Sequence, residues 1–309
     1  MAVKSGEILF VKSVKDGIPN RDPLRDSDAR RLFGEDDGRI SLSDVSIKRD
    51  VRDYILQKYG GQEDRRYFIW CREERNEDGS LLNRDQLAKK ILQQLGIDGK
   101  KVKAEDILGG AYDMRIFGAV FSVGENSFHR TGPVQFGWAH SMHPAQTRYV
   151  QGTTIMPSGS EREQGTIWTM YFLPFGIFLM PGVINAKIAE KAGVSDEDVE
   201  VLLEALWRGT LMRQARGRGF QQPELLVHVE YSDPLFRIGF LEDSLVLEPG
   251  REVWLGPKAP TSIAEVTIDV SGLNALLSRF KDKIARIRWW KGEELKLKGS
   301  LPGEQIKVW

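Results

Sequence analysis

A single cysteine, Cys71, stands in 309 residues, so the chain can form no internal disulfide and no multi-cysteine zinc site. Net charge is missing too: 44 basic residues meet 44 acidic ones, whereas a simple nucleic-acid binder is basic overall. Long apolar runs are absent. The longest, residues 171–184, is interrupted by Pro174, Gly176, Pro181 and Gly182, too often to cross a bilayer. Residues 1–6 carry no signal-peptide pattern and lead into a strand-like segment, which makes the cytoplasm the expected location. No P-loop, dinucleotide fingerprint, Ser-His-Asp order or RNP1 pattern is present, and no cofactor or metal is expected.

What is present is ordinary in amount but sorted in place. Hydrophobic residues make up 41% and charged residues 28%, values of a globular chain with a real core. Residues 126–160 contain no acid, yet carry His129, Arg130, His140, His143 and Arg148. Residues 207–222 are acid-free as well and carry Arg208, Arg213, Arg216 and Arg218, while acids gather at 35–37 and 195–200. A neutral chain sorted in this way can offer a basic groove and an acidic face, an arrangement suited to head-to-tail self-association. A solvated surface without function is the plainer alternative.

Residues 7–14 (EILFVKSV) read as a buried strand, and residues 15–42 as a long loop rich in Asp, Arg, Gly and Pro. Ser43 opens a helix with Ile47, Val51, Tyr54 and Ile55 on one side and Gly60 at its end. Residues 66–72 (RYFIWCR) read as a second strand. Asn83 with Gln86 caps a helix through Leu95, and Ser195 with Asp198 caps another whose stripe is Val199, Leu202, Leu203 and Leu206. Residues 114–123 fit strand or helix equally. Residues 166–183 suggest strands around turns at Pro174 and Pro181-Gly182, and further strands are expected at 225–231 and 265–270, with a helix at 271–284. The alternation predicts an α+β fold with large insertions, for which a ferredoxin-like β-α-β-β-α-β palm is one arrangement.

Three clusters could carry chemistry. Lys48, Arg49 and Arg52 are expected on the solvent side of the first helix, where they suit consecutive phosphates or simply pair with Asp50 and Asp53. Residues 131–143 mix small residues, Phe136, Trp138, Gln135, His140, Ser141 and His143, as single-stranded RNA binding requires; core packing of the aromatics is the alternative. A zinc site from His129, His140 and His143 lacks a nearby carboxylate or cysteine. The run 213–220 places Arg213, Arg216 and Arg218 among glycines that let backbone approach a polyanion. Asp22, Asp26, Asp28 and Asp44 follow no catalytic spacing and read as turn formers.

In order along the chain, Pro19-Asn20-Arg21-Asp22-Pro23-Leu24, residues 43–54 (SDVSIKRDVRDY), 113–121 (DMRIFGAVF), 131–136 (TGPVQF), 182–185 (GVIN) and the 196–207 segment ending Ala205-Leu206-Trp207 resemble the backbone subunits of type I CRISPR Cascade complexes. The resemblance is to the I-B/I-C branch of the RAMP superfamily. It implies a single domain, 1–309, built as an RRM-like palm with an inserted helical finger at about 75–112 and a thumb-like hairpin at about 144–168. It implies a non-catalytic role: copies stack head-to-tail along the crRNA spacer beside other Cascade subunits, and present the guide for pairing with target DNA. The expected RNA-binding residues are Asn20, Arg21, Lys48, Arg49, Arg52, Gln135, His140, Arg148, Ile155, Met156, Arg216 and Arg218. Arg21 stands where the family usually has glycine. The competing reading is a metal-dependent endoribonuclease of the type III kind, using a loop aspartate such as Asp22.

Overall fold

The computed structural model describes residues 2–25, 28–60, 66–98, 102–103, 110–123, 126–153 and 167–309. Strand β1 (Gly6–Gly17) is the axis of the main sheet. It pairs antiparallel with β9 (Phe175–Ile184) on one side and β10 (Arg218–Tyr231) on the other. Beyond β10 lie β13 (Ile284–Lys291) and β15 (Glu304–Gln305). Beyond β9 lie two short strands end to end, β5 (Val134–Phe136) and β6 (Ala139–Ser141), and then β2 (Ser41–Leu42).

Strict alternation in β1 feeds two cores. Ile8, Phe10 and Val14 face helices α1 (Asp44–Tyr59) and α5 (Asp196–Leu211), whereas Leu9 and Val11 face a carboxy-terminal layer. That layer comprises β11 (Val246–Glu248), β12 (Thr267–Asp269), β14 (Lys296–Lys298) and helices α6 (Arg251–Trp254) and α7 (Ser271–Arg279). Both faces of the sheet are therefore closed. Helices α1 and α5 cross closely because Gly209 has no side chain: a Cβ there would lie 2.5 Å from the Asp50 carbonyl oxygen.

The helix boundaries follow the capping residues. Ser195 and Asp198 form a reciprocal box at the start of α5, as Asn83 and Gln86 do for α2 (Arg84–Leu95). Gly60 ends α1 in a left-handed conformation. The ambiguous stretch at 114–123 is both things in turn, α3 (Tyr112–Phe117) and then β3 (Gly118–Val123), which pairs with β4 (Asn126–Thr131). The short α4 (Ala186–Ala192) connects β9 to α5.

Two expectations are corrected. Residues 66–72 form no strand; Phe68 makes an isolated bridge to Ala111, and the amides of Trp70 and Cys71 donate to the Asp113 carboxylate at 2.8 and 3.0 Å. A buried carboxylate, not a neighbouring strand, satisfies this apolar segment, which packs with Ile91, Leu92, Met114 and Phe121 in a small core of its own. Pro181-Gly182 is not a turn but lies inside β9. Gly137 N donates to Pro181 O at 2.8 Å, so the Pro181 nitrogen points to the same side, into the gap between the β5 and β6 pairings where no amide is needed. Pro174 does lie in the turn, between β8 (Ile167–Phe172) and β9.

Two buried histidines set a pH dependence. Burial holds His143 down to about 4, and its ring accepts from Ile177 N at 3.0 Å; burial and the nearby Arg288 and Arg286 hold His228 down to about 3. Unfolding lets both take protons, so stability should fall as pH drops below about 6.5. Glu224, pushed up to about 7 by burial, acts in the opposite sense, since stability falls as pH rises from its unfolded value towards 7. Two groups outweigh one, so urea denaturation should show a net loss between pH 6.5 and 4.5, with a shallower slope in His143→Asn. An equal slope in the variant would remove His143 as a cause.

Candidate nucleic-acid interface

Helix α1 carries its basic residues less openly than its periodicity implies. Lys48 pairs with Asp44 at 2.8 Å, and its ammonium lies 5.5 Å from the Phe117 ring centroid. Arg52 pairs with the buried Asp113 at 2.8 Å and also lies over Phe117. The expectation that all three face solvent is corrected: α3 packs along that edge and covers Lys48 and Arg52. Arg49 alone of the trio stays half-exposed, held by Asp53 at 2.7 Å. Asp50, expected as a surface partner, is buried between Lys12 and Arg213.

The loop after β1 is drawn onto the start of α1. Asn20 Oδ1 accepts from Ser43 N at 3.0 Å, Ser43 Oγ at 3.1 Å and Arg30 Nη1 at 2.9 Å. Asn20 thereby fixes the helix entry, which Ser43 does not cap with its own side chain. Asp22 Oδ1 accepts from Leu24 N at 3.1 Å, the geometry of an Asx turn.

The arginine run after α5 returns to this loop. Arg218 Nη1 donates to Pro19 O at 2.7 Å, and Arg21 Nη2 reaches Arg216 O at 3.4 Å. Gly217 has φ +74°, and its missing Cβ leaves room for the Arg21 guanidinium. The Arg216 guanidinium lies 5.2 Å from the Trp168 ring centroid, which ties the run to the hairpin of β7 (Arg148–Thr153) and β8. Asn20, Arg21, Arg49, Arg216 and Arg218 thus come together at one end of α1, with Arg213 completing the group.

The remaining candidates lie apart from it. Gln135 Nε2 donates to Phe117 O at 3.3 Å and Gly132 O at 3.1 Å, so its amide hydrogens are engaged with backbone. His140 Nδ1 bonds Ser41 Oγ at 2.9 Å beside Phe33, and burial with Arg39 nearby holds its ring below the usual histidine range. Arg148 is exposed at the start of β7, while Ile155 and Met156 lie outside the described residues. His129 is exposed and His143 buried; among the described residues no three potential ligands gather as a metal site.

Sequence reading missed the residues that hold the insertion in place. Asp198 accepts from Arg115 at 3.0 Å and from Arg66 at 2.8 Å, and its backbone carbonyl takes the Tyr112 hydroxyl at 2.7 Å. Asp113 and Arg115, two positions apart in 113–121, are both buried, an uncommon state for charged residues and the one available clue.

The protein-family model described as CRISPR-associated protein Cas7 matches residues 4–271. The chain belongs to the Cas7 family. A CRISPR-associated protein Cas7 from Haloferax volcanii is 28% identical over 305 residues, covering 90% of this chain and 84% of that protein. Among solved structures, a chain of a CRISPR RNA-guided surveillance complex, pre-nicking, aligns with TM-score 0.59 at 14% identity, covering 99% of this chain and 96% of its own. A chain of a second CRISPR RNA-guided surveillance complex aligns with TM-score 0.51 at 15% identity over 98% and 94%. At such identities the likeness is one of fold, so this Cas7-family chain shares a mixed α/β architecture with both. The family match spans α1, the arginine run and the whole main-sheet centre, which are the elements that build the interface. Among the described residues no helix is long and apolar enough to cross a membrane.

Proposed function

We propose that this chain is a crRNA-binding backbone subunit of a type I CRISPR interference complex, non-catalytic, stacking head-to-tail along the guide spacer in the cytoplasm. Its partners are the guide, further copies of itself, the other Cascade subunits, and target DNA through guide pairing. Family membership across residues 4–271 carries the reading. The convergence of Asn20, Arg21, Arg49, Arg216 and Arg218 at one end of α1 supports it, because arginine forks and approachable backbone suit phosphates.

The strand order β10-β1-β9-β5/β6, with α1 and α5 on one face, supports a ferredoxin-like palm in which β5/β6 takes the second-strand place first given to residues 66–72. We assign the finger to the insertion around 75–112, whose separate small core runs from Phe68 to Phe121, and the thumb to 144–168, whose stem is the β7–β8 hairpin. Lys48 and Arg52 then act by fixing α1 against the finger, and Arg49, Arg148, Arg216 and Arg218 by touching RNA. Gln135 and His140 shape the floor beside the path, and Ile155 with Met156 belongs to the thumb tip.

Light scattering with a spacer-length RNA tests the assembly. Sub-stoichiometric RNA should convert monomers into long oligomers, and a constant monomer mass at every ratio would defeat the proposal. In the same samples, cutting of complementary RNA with magnesium by the wild type but not by Asp22→Ala would establish the ribonuclease reading instead.

A further inference from the structure

Between the first half of α1 and the residues that follow α5 lies a polar cleft of about 450 Å³, a size typical of ligand sites. Its walls include Arg49, Asp53, Gln57, Arg213 and Arg218, and Asp50 lies at its base. Behind Asp50 stands Lys12, 3.5 Å away, only 1% exposed, donating to Gln221 Oε1 at 2.7 Å. Arg213 pairs with the other oxygen of Asp50, and Arg49 with Asp53. Four cations thus meet two carboxylates, and two positive charges are left uncompensated in a largely covered place.

Such an imbalance is costly unless something negative enters. The cations oppose one another: burial first, and then the neighbouring arginines, weakens the proton affinity of Arg218, and Lys12 is held below its usual range by burial, with Arg213 and Arg218 among the lesser causes. The donors are already oriented. Asp50 holds Arg213, and the Pro19 carbonyl holds Arg218 through Nη1, so little side-chain entropy remains to be lost on binding.

We propose that this cleft is a phosphate site, in which Arg213 and Arg218 hold a backbone phosphate of the guide while Lys12 and Asp50 position Arg213. The assignment of the phosphate to the guide rests on the function proposed above; the site itself does not. Arg213 does not belong to the set of RNA contacts that the family resemblance implies, and Lys12 lies in a strand that reads as core.

The experiment has two arms. RNA-free protein is titrated with inorganic phosphate at constant ionic strength, with chloride as the control, and its melting temperature is followed. The wild type should melt higher in phosphate by several degrees, and Arg218→Gln, which leaves the Asp50–Arg213 pair intact, should lose the shift. In the second arm, RNA affinity is measured against salt, and Arg218→Gln should lower the slope of log K by about 0.7 for a single strand. A phosphate shift with an unchanged RNA slope would overturn the guide assignment and leave a site for free phosphate. No phosphate shift and no slope change would overturn the site. Failure of the wild type to bind RNA would count against the proposed function, while the phosphate arm would still decide the cleft.

Discussion

Asp198→Ala is expected to lower the free energy of unfolding by about 3–5 kcal/mol, the usual consequence of removing one partner from a buried ion pair. Asp198 is fully covered, and Arg115, its partner at 3.0 Å, is itself 2% exposed, so the variant leaves a guanidinium without its counter-charge in the interior. The same carboxylate accepts from Ser195 N at 2.9 Å, so the start of α5 loses half of its capping box as well. Against a typical domain stability of about 5–15 kcal/mol, a loss of this size should be plain as a shift in urea midpoint. Asp198→Leu with Arg115→Met should recover much of it, because both charges leave together. A single variant within about 1 kcal/mol of wild type would mean that α5 and the insertion are joined by apolar packing alone.

The largest functional effect is expected at the thumb. Replacing residues 154–166 by a short Gly-Ser linker keeps the stem, in which Arg148 pairs with Phe172 and Thr153 with Ile167. Much of the β7–β8 hairpin is exposed and it forms a sheet of its own, so thermal stability should change little. On the proposed function, each thumb displaces one guide nucleotide, and unstacking a base costs a few kcal/mol that an apolar tip must offset. Chemical probing of bound guide should therefore show regularly spaced reactive nucleotides with wild type and none with the linker variant. Periodicity that survives the replacement would place the wedge elsewhere in the chain.

Much of the fold was legible in the sequence because its signals are local. The Asn83–Gln86 and Ser195–Asp198 boxes, Gly60, and the run before Val14 each name a boundary or a buried strand without help from distant residues. Reading failed where a distant group did the work of a neighbour. Residues 66–72 look like a strand, but their amides are met by Asp113, more than forty positions away. Pro181 looks like a breaker, but it falls at a gap between two partner strands that no local pattern reveals. The site shows the same division. The arginine run was visible as composition, whereas the covering of Lys48 and Arg52 depends on where α3 lands, and the pairing of Lys12 with Asp50 depends on a strand meeting a helix.

The closure of both sheet faces bears on what the protein can discriminate. An RNA-binding sheet that reads sequence lays bare its aromatic side chains and lets bases lie flat on them. Here helices fill one side of the central strands and the carboxy-terminal layer fills the other, so no base can reach that surface. A strand passing along the rim would meet charge and backbone, which are alike at every nucleotide. Indifference to the letters is then built into the architecture, and one protein sequence can serve any spacer that its host acquires.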